Sequence, residues 1–116
     1  MTKQVKATNT FEAPEGFGTM AEADQDKAVA VWVAANPNAT IKPVGIPEGG
    51  LPTYLRRDTG KRADINRLIA TGPRVAKFIP LARKQGGGWR DLAAALAGGY
   101  SRKAAGYGVP AVKLVA

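Results

Sequence analysis

Basic side chains crowd the second half of this chain, where they can bind anions. Twelve of the seventeen Lys and Arg residues fall between positions 56 and 103, and only three Asp oppose them there. Residues 1–55 carry a net charge of −2, whereas residues 56–116 carry +10. This asymmetry predicts a cationic face for nucleic acid, an acidic protein or an anionic lipid. The alternative is a solvated surface that happens to be basic.

The candidates for contact with nucleic acid or an acidic partner are the Arg and Lys side chains of this basic half. They are Arg56, Arg57, Arg62, Arg67, Arg74, Lys77, Arg83, Lys84, Arg90, Arg102 and Lys103.

Side chains for catalysis and metal binding are scarce. The chain has no Cys and no His, which excludes disulfides, thiolate catalysis and the commonest metal ligands. Asp24 and Asp26 are two positions apart on a predicted helix, so their carboxylates face different directions. We therefore expect no enzymatic activity, no cofactor, no metal and no small-molecule substrate.

The length of 116 residues predicts one small domain with a thin core. Much of its apolar content is alanine, with 21 Ala against 24 Ile, Leu, Val and Phe together. Residues 1–10 are polar and lack the apolar core of a signal peptide. No apolar run approaches the roughly twenty residues needed to cross a bilayer. We expect a soluble protein that has no membrane partner and is not secreted by a signal peptide.

Residues 1–18 predict an extended arm. Phe11 and Phe17 are isolated aromatics among Pro14, Gly16 and Gly18, where no regular element forms easily. Their rings either cover the core of the domain or anchor in the groove of a neighbouring subunit. We favour the second interpretation, in which Phe11 and Phe17 are partner anchors.

A helix is predicted over residues 19–36. Thr19 and Glu22 have the spacing of a capping box, and Ala28, Val31, Trp32 and Ala35 repeat at helical spacing; Asn36 is suited to end the helix in the left-handed conformation. The valine-rich run 28–33 also suits a buried strand, and the cap decides for a helix.

Residues 40–57 predict a hairpin or an irregular connection. Two extended segments, 40–46 and 51–57, flank a Pro-Glu-Gly-Gly turn. Pro43 and Pro52 cannot donate to a β-ladder, so the segments would be edge strands or loops.

The basic region 58–107 predicts short helices. Ile65, Leu68 and Ile69 form one apolar stripe, with Asn66 turned outward, and Gly72 ends that helix. Pro80 is expected to split the following helix into two pieces. Trp89, Leu92 and Leu96 share a core face before Gly98 and Gly99 stop the chain. Residues 111–116 read as a terminal strand or tail.

Two short motifs in this region suggest anion or DNA binding. Residues 86–88 are three glycines before a helix, typical of a flexible break and, more weakly, of a backbone anion site. Residues 89–107 resemble a helix-turn-helix unit. In that unit Arg102 and Lys103 lie on a recognition helix and face the major groove. An ordinary helical hairpin is the alternative.

These observations predict an α+β fold, mainly of short helices, with an edge hairpin and extended terminal segments. They favour a non-enzymatic structural protein of a nucleoprotein assembly, such as a phage virion, located in the virion or the host cytoplasm. Its partners are other subunits of the assembly and, through the basic half, DNA or an acidic protein. The alternative function is a small DNA-binding regulator that uses the helix-turn-helix-like unit.

Overall fold

The computed structural model describes residues 10–12, 16–46, 51–52, 55, 59–99 and 110–116. Four α-helices and one two-stranded antiparallel sheet form an α+β domain within these ranges, which confirms the predicted fold class. The elements are α1 (Glu22–Ala35), β1 (Thr40–Pro43), α2 (Lys61–Ala70), α3 (Val75–Lys84), α4 (Trp89–Ala97) and β2 (Val112–Val115), preceded by a 3-10 turn at Phe17–Thr19.

The sheet joins two strands that are far apart in sequence. β1 pairs with β2 in the register Thr40 to Val115 and Pro43 to Val112. Val44 N donates to Ala111 O at 2.8 Å, so the alternation of an antiparallel ladder puts Pro43 in a pair without hydrogen bonds. The missing N–H of Pro43 therefore removes no bond between the strands. This pairing confirms the predicted C-terminal strand.

The predicted hairpin between 40–46 and 51–57 is wrong for the residues that can be compared. β1 takes its partner from β2, and Leu51, Pro52 and Leu55 lie outside any strand. The other edge of β1 is already occupied, because Ile41 N donates to Pro73 O and Val75 N donates to Ala39 O. Both edges of β1 are thus filled, which leaves the irregular connection; residues 47–50, 53–54 and 56–58 lie outside the described ranges.

Helix α4 lies at the centre of the core, as its apolar spacing predicted. It packs against α1, α2 and β2, and every residue from Asp91 to Ala97 is buried. Leu92 is fully buried and Trp89 is half-buried against the core. Gly98 ends the helix at a φ of 89°, and the N–H groups of Gly98 and Gly99 both donate to Ala94 O. Only glycine adopts this left-handed conformation freely.

Phe11 and Phe17 belong to the core, which corrects the prediction that they anchor a free arm in a partner. Their exposed fractions are 9% and 3%. The ring of Phe11 lies edge-to-face against Phe17 at 5.7 Å and against Trp32 at 5.8 Å. Two tertiary hydrogen bonds hold this segment, which has no α-helix or strand: Phe11 N donates to Leu114 O, and Gln25 Nε2 donates to Phe17 O. Residues 1–9 and 13–15 of the predicted arm lie outside the described part of the chain.

Helix α1 was predicted correctly as an element and incorrectly in its details. It begins at Glu22 with Ala21 as its N-cap, so the Thr19 capping box is wrong. Its buried face is formed by Gln25, Val29 and Val33, whereas Val31 is 60% exposed. Asn36 ends the helix at a φ of −134°, outside the left-handed region, and its side-chain Nδ2 donates to Trp32 O.

Two details of α2 and α3 also differ from the sequence prediction. Asn66 is fully buried instead of outward, and its Nδ2 donates to Arg62 O at 2.8 Å, which gives the buried amide a hydrogen-bond partner. Helix α3 continues through Pro80 as one piece. Pro80 and Ala76 are both exposed, so the carbonyl of Ala76, which loses its helical donor at Pro80, lies on the solvent side of the helix. Gly72, at a φ of 72°, follows α2 as predicted.

Candidate functional site

Helix α3 and its N-cap present four of the eleven candidate cations on one exposed surface. Its apolar side is buried in the core through Val75, Phe78, Ile79 and Ala82. The exposed cations at its start and along its outer side define what we call the α3 basic face: Arg74, Lys77, Arg83 and Lys84. Lys77 and Lys84 are two helical turns apart, so their Cα atoms are separated by about 10 Å along the axis. The amphipathic packing of α3 therefore orients these cations toward solvent.

No carboxylate of the described residues pairs with the cations of the α3 basic face. None of its four side chains forms an ion pair there. Arg83 and Lys84 lie in the last turn, where the helix dipole favours positive charge. No large apolar side chain is exposed on α3, since Val31 and Val44 are the exposed large hydrophobics of the described ranges. The face is thus cationic and exposes no large apolar side chain.

The cations of α2 are exposed but less available. Arg67 donates to Asp64 Oδ1 at 2.9 Å, and both side chains are about half exposed. An exposed pair of this kind contributes little to stability and is screened by salt. Arg62 is exposed in the first turn of α2. Both residues remain candidates for contact with a partner.

Arg90 faces the interior, which corrects its assignment as a contact residue. Its NH2 donates to Gln25 Oε1 at 2.7 Å, and its NH1 lies 3.3 Å from Asp26 Oδ1 and 3.9 Å from Glu22 Oε1. The Arg90 side chain is 24% exposed. Burial raises the pKa of Asp26; Arg90 opposes this shift, and Glu22 and Asp91 add to it. Arg90 therefore joins α4 to α1 instead of facing an external anion.

The glycine turn, residues 86–88, is a fixed hydrogen-bonded element. Gly86 N donates to Arg83 O, Gly87 N to Ala82 O, and Gly88 N to the Asp91 Oδ2 carboxylate oxygen. A Cβ on Gly87 would overlap Asp91 Oδ2 and Ile65 Cδ1. All three N–H groups are thus used internally, so the backbone anion site that the sequence suggested is wrong, whereas the predicted break lies between α3 and α4. Any anion here must be bound by side chains.

Lys61 joins the site although the sequence did not single it out. Its Nζ lies 3.8 Å from the position that a Cβ on Gly86 would take. On the same turn, Arg83 Nε lies 3.9 Å from the corresponding position on Gly88. Both side chains are exposed. Lys61 is 25 positions before Gly86, and no short-range pattern signals such a contact.

The remaining candidates lie outside the described ranges. These are Arg56, Arg57, Arg102 and Lys103, together with the predicted recognition helix at 101–107. Within the ranges that are described, no group of three or more acidic side chains is placed to hold a metal ion. None of the helices there is long and apolar enough to cross a membrane.

Comparison with known proteins gives no relative: no family model, no curated protein and no solved structure matches the chain. The function therefore has to be argued from the site.

Proposed function

We propose that the chain is a non-enzymatic, sequence-neutral nucleic-acid-binding protein that serves as a structural component of a nucleoprotein assembly, such as a phage particle. The observation that carries this proposal is the α3 basic face, four exposed cations with no internal ion pair among the described residues. Lys and Arg side chains on such a face bind phosphate groups, and the release of counterions from nucleic acid drives the association.

The composition of the face favours nucleic acid over an acidic protein. Protein interfaces are anchored by large apolar or aromatic side chains at their centre. The outer side of α3 exposes none of these fully, since its exposed positions between the cations are Ala76 and Pro80 and Leu81 is half-buried. Nucleic-acid interfaces are more polar and much more positive than protein interfaces. The α3 basic face matches that second description.

The same face favours binding without sequence preference. Phosphate contacts hold a protein on nucleic acid, whereas base-edge contacts read the sequence. The exposed polar side chains of α3 are Lys and Arg, which contact phosphates of any sequence and, among the bases, read guanine; the amides that read adenine are absent. Helix α4, the first helix of the helix-turn-helix-like unit, is buried from Asp91 to Ala97. That burial disfavours the regulator, in which the first helix crosses the DNA backbone.

The net charge supports an assembly on nucleic acid. The chain carries +8 over 116 residues, so copies of it repel one another in solution. Phosphates of a nucleic acid would neutralise that repulsion and allow many copies to gather on one strand or duplex. The predicted anchoring role of Phe11 and Phe17 no longer contributes to this argument, because both rings are buried in the core of the chain.

The test compares two triple variants that remove the same charge. Lys77→Gln/Arg83→Gln/Lys84→Gln removes three cations of the α3 basic face, and Lys27→Gln/Lys42→Gln/Lys113→Gln removes three exposed lysines from α1, β1 and β2. Affinity for a labelled DNA duplex is measured by anisotropy over a salt series. The slope of log K against log salt should fall by about 0.9 for each phosphate that the variant no longer neutralises. We expect the α3 triple to neutralise about two to three fewer phosphates and the control triple to retain nearly the wild-type slope.

Two outcomes contradict the proposal. Equal reductions in both triples would mean that only net charge matters, and wild-type binding in the α3 triple would mean that the face is merely solvated. Sequence preference is read in the same assay with unrelated duplexes. A preference of about a thousandfold for one sequence would instead support the regulator.

A further inference from the structure

The glycine turn brings cations from two different helices to one place. Lys61 begins α2 and Arg83 lies in the last turn of α3. Lys61 Nζ and Arg83 Nε each lie within 4 Å of the Cβ position of a turn glycine, Gly86 for the lysine and Gly88 for the arginine. Residues two apart are separated by at most about 7 Å along an extended chain. The two cationic side chains therefore approach one turn from different helices.

The turn holds its position because each of its three N–H groups is hydrogen-bonded. Gly88 N donates to Asp91 Oδ2, and the N–H groups of Gly86 and Gly87 donate back into α3. Gly87 packs so closely on Ile65 and Asp91 that it has no room for a side chain. Lys61 Cδ lies 3.9 Å from the Gly86 Cβ position and Arg83 Cγ lies 3.7 Å from the Gly88 Cβ position, so both side-chain stems run beside this turn.

The positive charges of Lys61 and Arg83 beside one turn favour the binding of an anion. Lys61 and Arg83 carry like charges near one turn, and neither forms an ion pair with another residue of the described ranges. The Asp91 carboxylate lies beneath the same turn, but it is 5% exposed and accepts from Gly88 N. A ligand with one negative charge and several acceptor oxygens, placed between the two cations, would relieve their repulsion. A phosphodiester group has this chemistry.

We propose that Lys61 and Arg83 together bind one phosphate of the nucleic-acid backbone at the glycine turn. This inference rests on the proposed function and specifies where the strand is held. The α3 basic face then follows the same backbone away from the turn through Lys77 and Arg74. The lysine supplies a point charge, and the arginine supplies a planar fork for two phosphate oxygens.

A double-mutant cycle on DNA binding separates one shared phosphate from two independent contacts. Lys61→Gln, Arg83→Gln and the double variant are measured by anisotropy over a salt series, with retained thermal unfolding as the fold control. Two cations on one phosphate should be non-additive, so the double variant should weaken binding less than the product of the single effects. Its salt slope should fall by about 0.9, which corresponds to one phosphate. The matched cycle of Lys61→Gln with Lys77→Gln should be additive.

Each result decides between the two proposals. An additive Lys61–Arg83 cycle with a slope change near about 1.8, or no effect of either single variant, overturns the shared site. The nucleic-acid function survives that result if the α3 triple variant still binds more weakly than its lysine control. Failure of the wild-type protein to bind DNA in a salt-dependent manner overturns both.

Discussion

Arg90 on α4 donates a 2.7 Å hydrogen bond to Gln25 on α1, although 65 residues separate them in the chain. The amide nitrogen of the same side chain is also hydrogen-bonded, since Gln25 Nε2 donates to Phe17 O at 2.7 Å. Gln25 is fully buried. One polar chain therefore runs from α4 through α1 to the N-terminal segment, and it holds the aromatic cluster of Phe11, Phe17 and Trp32 in place.

This linkage predicts that Arg90 contributes to stability. Arg90→Met keeps most of the aliphatic stem and removes the donors, which leaves Gln25 Oε1 without this bond and Asp26 without its ion pair. Hydrogen bonds to charged groups contribute about 1.5–3 kcal/mol, and we expect the free energy of unfolding to fall by that order. Urea denaturation measures it. Arg83→Met, at an exposed position of α3, is the matched control and should change stability by less than about 0.5 kcal/mol. Equal effects in the two variants would show that the Arg90 contacts are not stabilising.

The burial of Phe17 predicts a large decrease in stability on truncation. Phe17→Ala removes a ring that is 3% exposed and touches Phe11 edge-to-face. Truncation of a core phenylalanine costs about 3–5 kcal/mol, a large share of the stability of a small domain. Thermal unfolding should show this decrease, whereas Val31→Ala, at a position that is 60% exposed, should change the melting temperature very little. An unchanged melting temperature for Phe17→Ala would restore the interpretation of residues 1–18 as a free arm.

Local sequence patterns were sufficient to predict an element and its buried face where one side of that element is clearly apolar. Leu92 and Leu96 follow helical spacing between a glycine run and a glycine stop, and α4 has those boundaries and that buried face. Helix α1 was harder to predict in detail, because every position from Ala28 to Ala35 is apolar. A uniform run gives the 3.6-residue period no preferred direction, so Val31 was misplaced. The buried Gln25 could not be anticipated, since its partners are Phe17 and Arg90.

Contacts between distant segments set the rest of the fold and most of the site. β1 pairs with β2 across about 70 residues, and alternation within a segment identifies a strand without naming its partner. The approach of Lys61 to the turn at Gly86 also joins segments far apart in sequence, and no local pattern names the partner. The composition identifies a cationic half of the chain, but it could not separate Arg90, which faces α1, from Arg83, which faces solvent. That distinction depends on helix packing.

The raised pKa of Asp26 predicts how stability responds to pH. Asp26 is partly buried at the contact between α1 and α4, where desolvation outweighs the attraction of Arg90, and Glu22 and Asp91 add repulsion. The charged carboxylate is therefore less favourable in the folded protein than in the unfolded chain. A carboxyl group with a raised folded pKa reduces stability above that pKa. The folded state takes up the proton first as pH falls toward the ordinary value near 3.8, so the penalty disappears.

Asp26→Asn tests the sign of this effect, because asparagine carries no charge at any pH. We expect the variant to be at least as stable as the wild type at about pH 7 and to lose that relative advantage as pH falls below about 4. Urea denaturation at several pH values measures the difference. Asp24→Asn, at an exposed position on the same helix, controls for the removal of one negative charge from α1. If the wild type instead loses stability relative to Asp26→Asn on acidification, the ion pair with Arg90 outweighs desolvation, and the folded pKa of Asp26 is lowered.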